Sequence, residues 1–296
     1  MYAITGATGN TGKPLALALL QAGKKVRIIS RSAEKAKELV DKGAELFAGD
    51  TSSADLLAKA FAGATAVYAM IPFEWTTPDY TKHQMKHADA IAAALQKNGV
   101  KHVVSLSSVG AHLEKDSGVV LGLRYMEQKF NAIPGLNTLH LRPTYFMENA
   151  FGMIDVIKNM GIMGSPVKAD LRMNMIATKD IAAYAAKRLL ALDFSGHNIQ
   201  YLLGQRDLTY NEVTKVYGAA LGKPDLKYVE FGFDDFKKAF MQMGASESLA
   251  DNMNTFIKAL NEGKVLAEAR RGAASTTPTS IEEFATMFTY VYNMKV

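Results

Sequence analysis

Along the first half of the chain, short apolar runs of strand type alternate with stretches whose apolar positions recur at helical spacing. The runs fall at 2–5, 26–30, 46–48, 66–71, 102–106 and 138–141, and the helix-like stretches at 13–22, 33–42, 53–62, 81–97 and 123–132. Gly23, Gly43, Gly63 and Gly99 stand where those helices should stop, because glycine accepts the left-handed conformation that commonly ends a helix. This alternation predicts a parallel sheet covered by helices on both faces.

After Arg142-Pro143 the pattern loosens. A helix is expected from Met147, then a loop with Gly161, Gly164 and Pro166, then a helix from Thr178-Lys179-Asp180 to Leu192. The run 199–203 predicts one more strand, rejoining the sheet. From Asp207 onward helices dominate, and Thr277-Pro278-Thr279-Ser280 with Glu282 and Glu283 marks the start of the last one. No internal repeat is visible.

Composition narrows the class. At 296 residues the chain is about twice a ~150-residue domain, and 48% hydrophobic with 21% charged residues excludes a disordered or low-complexity chain. Zero cysteines exclude disulfides, cysteine-ligated zinc, iron–sulfur clusters and a thiol nucleophile, and suit a reducing compartment. No apolar run reaches the ~20 residues of a membrane span, and a strand begins at Tyr2 with no room for a signal peptide, so the expectation is a cytoplasmic protein without a membrane role. The net charge of +5 is spread along the chain, which argues against nucleic acid as a partner.

Between the first strand and the first helix lies Thr5-Gly6-Ala7-Thr8-Gly9-Asn10-Thr11-Gly12. A loop without side chains lets backbone N–H groups and the positive end of the helix approach a pyrophosphate, so Gly6, Thr8, Gly9, Asn10, Thr11 and Gly12 are the candidate cradle. The spacing Gly-x-x-Gly-x-x-Gly is one residue longer than the usual dinucleotide fingerprint, but strand, loop and helix follow in the required order.

The second strand ends at Arg31, nineteen residues past Gly12, near the ~20-residue offset of a ribose-reading group. A carboxylate there would bond the 2′-hydroxyl of NAD, whereas a guanidinium matches a 2′-phosphate, so NADP(H) is expected in preference to NAD(H). Lys35 offers a second cation at that corner, and Asp50, closing the third strand, is placed to bond the adenine. At the carboxyl edge of the sheet, Ile71, Pro72, Ser107 and Pro143 are expected beside the cofactor. The fold is therefore expected to be α/β, a Rossmann doubly wound parallel sheet with a smaller, mostly helical substrate region. The expected boundaries are 1–145 for the NADP-binding domain, with 173–205 returning to it, and 146–172 with 206–296 for the smaller region.

The sequence resembles the NmrA-like family of atypical short-chain dehydrogenase/reductases. The residues that carry the likeness are the glycine loop, Arg31, Gly49-Asp50, Leu141-Arg142-Pro143-Thr144-Tyr145-Phe146-Met147-Glu148-Asn149, Asp180-Ile181-Ala182 and Thr277-Pro278-Thr279-Ser280-Ile281-Glu282-Glu283-Phe284. It is most similar in appearance to type 2 quinone oxidoreductases and triphenylmethane dye reductases. That implies NADPH-dependent hydride transfer, without flavin or metal, to a quinone or related aromatic small molecule, by a monomer or homodimer. The family also contains NADP(H)-sensing regulators, which would need a protein partner, and the epimerase- and isoflavone-reductase-like enzymes are a further alternative.

Short-chain reductases generally use a serine with a Tyr-x-x-x-Lys pair, in which the ammonium lowers the phenol pKa. Tyr125 and Lys129 have that spacing, and Ser107 ends the preceding strand. A chain with this many tyrosines and lysines carries about one such pair by chance, so a helix-surface pair is the competing reading. Counting back from Leu141-Arg142-Pro143, the cation position of the family falls on Arg124 and the tyrosine position on Val120. A quinone takes hydride readily, so positioning beside the cofactor can supply most of the catalysis. Phe73, Trp75, Tyr145 and Phe146, with Asn149, are the candidate substrate groups. His83 and His87 sit four apart, but no third ligand or Glu base accompanies them, and no metal is expected.

Overall fold

The computed structural model describes residues 1–294. The first half runs β1 (Tyr2–Thr5), α1 (Gly12–Gln21), β2 (Val26–Ser30), α2 (Ala33–Asp41), β3 (Glu45–Ala48), α3 (Ala54–Ala60), β4 (Ala66–Ala69), α4 (Tyr80–Lys97), β5 (His102–Leu106), α5 (Leu121–Asn131) and β6 (Asn137–Pro143). Then come β7 (Tyr145–Phe146), a 3-10 stretch (Met147–Met153), α6 (Ile154–Met160), β8 (Ile162–Ser165), β9 (Met173–Ile176), α7 (Thr178–Ala191) and β10 (His197–Leu202). The chain continues through β11 (Asp207–Leu208), α8 (Tyr210–Ala220), β12 (Lys227–Glu230), α9 (Phe233–Gln242), α10 (Glu247–Asn261) and α11 (Ile281–Asn293).

Seven strands form one sheet in the order β10-β6-β5-β4-β1-β2-β3, and every pairing in it is parallel. Successive residues of a strand point to opposite faces, and here both are apolar. Ile4, Ile28, Tyr68 and Val104 enter a core shared with α1, α2 and α7, while Ala3, Ile29, Val67 and Val103 enter one shared with α3, α4 and α5. Burying a Leu or Ile side chain contributes about 1.5–3 kcal/mol, so the two layers hold the sheet flat against its helices. Strand order reverses between β1 and β4, and the carboxyl ends flanking that reversal are where such sheets bind ligands.

The smaller region is mostly helical, in α6 and α8 to α11. It carries two further sheets, β11-β9-β7 and β12-β8, made of strands of two to four residues. Their partners are far apart in sequence, as with Tyr145 opposite Met175 and Lys227 opposite Ile162, so no local pattern announces them. Met173 and Met175 face the smaller region's core with Tyr210, Tyr217, Leu260 and Phe288, while Ile176 and α7 pack into the core of the large sheet. The expected strand at 199–203 is β10, at the edge of the large sheet beside β6.

His140 on β6 is fully buried. Its Nε2 lies 2.9 Å from Asn131 Oδ1, an acceptor, so Nε2 carries the proton and Nδ1 accepts from Ser105 Oγ at 2.6 Å. Burial pushes its pKa down to about 4. In the unfolded chain the ring takes a proton near pH ~6.5, so acid favours unfolding, and stability falls as pH drops from ~6.5 towards 4. Between pH 7.5 and 5 this ring alone should remove about 2 kcal/mol of unfolding free energy. Urea unfolding at the two pH values should show His140→Gln to be less stable at pH 7.5 but with a shallower pH dependence; an unchanged slope would contradict the assignment.

Candidate cofactor and active site

The glycine loop leaves β1 with Gly6 at φ +64°, a left-handed conformation that suits glycine. A Cβ on Gly12 would stand 2.2 Å from the Gly6 carbonyl oxygen, so only glycine lets α1 start this close to β1. Gly9 differs: a Cβ there would make ordinary contacts, at 3.4 Å from the Gly6 oxygen and 3.7 Å from Met70 Cε. The loop is tied down by Thr5, whose hydroxyl donates to the Met70 carbonyl at 2.9 Å and accepts from the Met70 N–H at 2.7 Å. Tyr68 Oη donates to Thr11 Oγ1 at 3.1 Å. Among the described residues, no protein acceptor takes the N–H groups of Asn10, Thr11 or Gly12. Free amides at a helix N-terminus, beside Gly6 and Gly12, which have no room for a Cβ, fit a pyrophosphate.

Arg31 is exposed at the end of β2 and donates from Nη1 to Glu74 Oε2 at 3.2 Å. Lys35 stands exposed in the first turn of α2, where the Ser32 hydroxyl accepts its backbone N–H. Asp50 accepts the Ser52 N–H at 2.8 Å and lies 3.8 Å from His87 Nε2. His87 is buried against Thr51 Oγ1 at 2.8 Å; desolvation, with His83 beside it, pushes its pKa down to about 4, so it is neutral at pH 7. His83 Nε2 donates to the Pro72 carbonyl at 3.2 Å. Among the described residues, no three His, Asp or Glu are placed to share a metal ion.

The catalytic candidates are not brought together. Ser107 is buried, and its hydroxyl donates to Glu127 Oε1 at 2.5 Å. Glu127 in turn receives Arg142 Nε at 3.0 Å and Nη2 at 2.6 Å, a two-pronged pair with both side chains 6% exposed. Arg142 also reaches Tyr201 Oη at 2.9 Å. Tyr125, two positions before Glu127 and thus about 200° away around α5, points to α4 and donates to Asp89 Oδ1 at 2.9 Å. Lys129 joins the same carboxylate at 3.1 Å. The Tyr-x-x-x-Lys spacing therefore meets a neighbouring helix rather than Ser107. Arg124 donates from Nη1 to the Ala111 and His112 carbonyls at 3.2 and 3.1 Å, so it braces the loop after β5.

Ile71 is buried in the core beneath α3 and α4, and the Pro143 carbonyl accepts the Val109 N–H at 3.0 Å. Phe73 and Trp75 are exposed at 45% and 40%, with ring centres 5.7 Å apart. Phe73 also meets Tyr80, and Trp75 meets Phe240 of α9. Tyr145 belongs to a separate group: it packs edge-on against Tyr210 in the smaller region. Phe146 lies with Met70 and Leu106 as half-buried apolar groups over the core of the large sheet, while Asn149 is exposed.

The sequence pattern of the NmrA-like family matches residues 2–285. The chain belongs to that family. An NAD(P)H azoreductase of Xenophilus azovorans is 31% identical over 258 residues, covering 86% of this chain and 85% of that protein. The NADPH-dependent quinone oxidoreductase of Escherichia coli, solved with NADPH, superposes with a TM-score of 0.81 at 20% identity, over 97% of this chain and 99% of the other. The triphenylmethane reductase of Citrobacter sp., solved with NADP(H), gives 0.79 at 20% identity over the same shares. In this NmrA-like protein several motif residues prove to be braces. Glu148 accepts the Thr178 N–H and hydroxyl at the start of α7, and Asp180 accepts the Thr279 N–H and hydroxyl, tying α7 to the segment before α11.

Sequence reasoning missed Glu127 and Glu74. A glutamate on a helix is ordinarily a solvated residue, and only the tertiary fold shows Ser107 and Arg142 closing on it. Met70 had a legible position, at the end of β4, but its contact with Gly6 depends on the loop's path; a Cβ on Gly6 would stand 2.0 Å from its Cε.

Because a Cβ at Gly9 would make only ordinary contacts, Gly9→Val should keep the fold, with an unchanged circular dichroism spectrum and melting temperature within a few degrees, yet weaken NADPH binding at least tenfold. Gly12→Ala should lower the melting temperature as well. Calorimetric titration showing full-strength binding to Gly9→Val would contradict a cradle at this loop.

Proposed function

We propose that this NmrA-like protein is an NADPH-dependent oxidoreductase that passes hydride directly to a quinone or a similar conjugated, electron-poor aromatic acceptor. The observation that carries the reading is the free-amide glycine loop standing beside Arg31, at the same carboxyl edge of the sheet as the exposed rings of Phe73 and Trp75. The azoreductase relative and the structurally similar quinone oxidoreductase and triphenylmethane reductase are named for azo, quinone and triphenylmethane acceptors, which supports the acceptor class.

Bound NADPH would supply the hydride. The chain's own residues do the holding: the Asn10, Thr11 and Gly12 amides and the N-terminal end of α1 face the pyrophosphate, and Arg31 with Lys35 meets the 2′-phosphate. Met70, Leu106 and Phe146 form an apolar wall that excludes water from the reacting ends. Phe73 and Trp75, exposed and meeting edge to face, offer an apolar ring surface for an aromatic acceptor. No side-chain acid is required. Ser107 is engaged by Glu127 and Tyr125 by Asp89, and a quinone that has taken hydride is a stable phenolate that can take its proton from water.

NADPH should be oxidised when a small benzoquinone is added without flavin, followed by loss of nicotinamide absorbance. Tyr125→Phe should slow this less than tenfold, whereas loss of a working general acid costs about 10²-fold or more. Tight NADPH binding with no turnover of any quinone, azo compound or dye would overturn the enzymatic reading in favour of an NADP(H) sensor. At the cofactor corner, the wild type should bind NADPH more tightly than NADH, and Arg31→Ala should weaken NADPH binding about tenfold or more with little change for NADH. Equal affinities in the wild type would contradict the assignment of Arg31.

A further inference from the structure

Arg31 does not stand alone. It follows β2, and its carboxylate partner Glu74 comes from the loop after β4; β1 lies between those two strands in the sheet. The bridge from Arg31 to Glu74 therefore reaches across the end of β1, where the glycine loop leaves the sheet. Glu74 is built in rather than trailing in solvent: its side chain is 27% exposed, and its second oxygen accepts from Thr76 Oγ1 at 3.3 Å. The bond from Arg31 holds the Glu74 carboxyl below the usual carboxylate range, so the group is charged at neutral pH.

We propose that Glu74 is a cofactor-specificity residue, which together with Arg31 reads the 2′ position of the adenine ribose with one charge of each sign. This rests on the assignment of Arg31 to the 2′-phosphate. The chemistry of the pair is asymmetric. A 2′-phosphate, with a charge of about −1.5 to −2, is attracted by Arg31 and repelled by Glu74, and it competes with the carboxylate for the guanidinium. A 2′-hydroxyl can donate to Glu74 while the Arg31 bridge stays closed. Glu74 thus narrows a preference for NADP(H) that Arg31 alone would make wide, and keeps the protein able to use NAD(H). The bridge is exposed enough to be weak, so it yields to a phosphate rather than blocking the site.

Glu74→Gln removes the charge and keeps the shape. Dissociation constants for NADPH and NADH, measured by calorimetry on the wild type, Glu74→Gln, Arg31→Ala and the double variant, test the proposal without any substrate. The expected result is that Glu74→Gln binds NADPH more tightly and NADH more weakly, widening the ratio of the two constants by about tenfold, at an unchanged melting temperature. In the Arg31→Ala background the gain for NADPH should shrink, because there is no guanidinium left to release. A ratio unmoved by Glu74→Gln, or both constants moving by the same factor, overturns the role of Glu74. If Arg31→Ala still removes the NADPH preference in that case, only this proposal fails; if Arg31→Ala changes nothing, the assignment of the corner fails with it.

Discussion

The close approach of Gly12 to the Gly6 carbonyl sets the geometry on which the candidate site depends. With no room for a Cβ between them, the first turn of α1 begins directly over the end of β1, and the amides of Asn10, Thr11 and Gly12 stay open. Thr5, bonded to Met70 in both directions, fixes that loop to β4, the strand across the reversal of sheet order. Arg31 at the end of β2 and the aromatic loop after β4 then fall on either side of the end of β1, joined by the bond from Arg31 to Glu74. Moving α1 outward by the width of a methyl group would separate amides, cation and apolar wall at once.

A second constraint lies under the carboxyl edge. The Glu127–Arg142 pair is buried, and charges so placed are stable only when their remaining hydrogen-bonding positions are filled. Ser107 fills one on the carboxylate side, and Tyr201 fills one on the guanidinium side while donating to Glu268 at 2.8 Å. The network thereby joins β5, α5, β6, β10 and the segment that precedes α11. Through it the hydroxyl of Ser107, just past the end of β5, is taken up by Glu127. A site with its serine and tyrosine so engaged suits an acceptor that needs hydride and contact, not protonation by the protein.

The large sheet was legible because its strands are apolar on both faces, as Ile28-Ile29 and Val103-Val104 show, and because glycine ends each of the first helices. The place of the glycine loop between β1 and α1, and of Arg31 just after β2, was legible from spacing, since both are set by local chain geometry. Tyr125 and Lys129 mark where spacing stops helping: the interval was right, but the rotation of α5 about its axis turned the pair towards Asp89. Glu127 and Glu74 carried no signal, because their meaning comes from partners on other elements. The short strands of the smaller region were hidden for the same reason, each pairing with a segment remote in sequence.

The central claim, that the loop amides at the start of α1 hold a dinucleotide, is tested most directly by following backbone amide resonances of the isotope-labelled protein during titration with NADPH. The account predicts saturable shifts that are largest at Asn10, Thr11 and Gly12, with Arg31 responding to NADPH more than to NADH. Shifts absent from the loop, or centred on the Tyr125–Asp89 seam between α4 and α5, would contradict it.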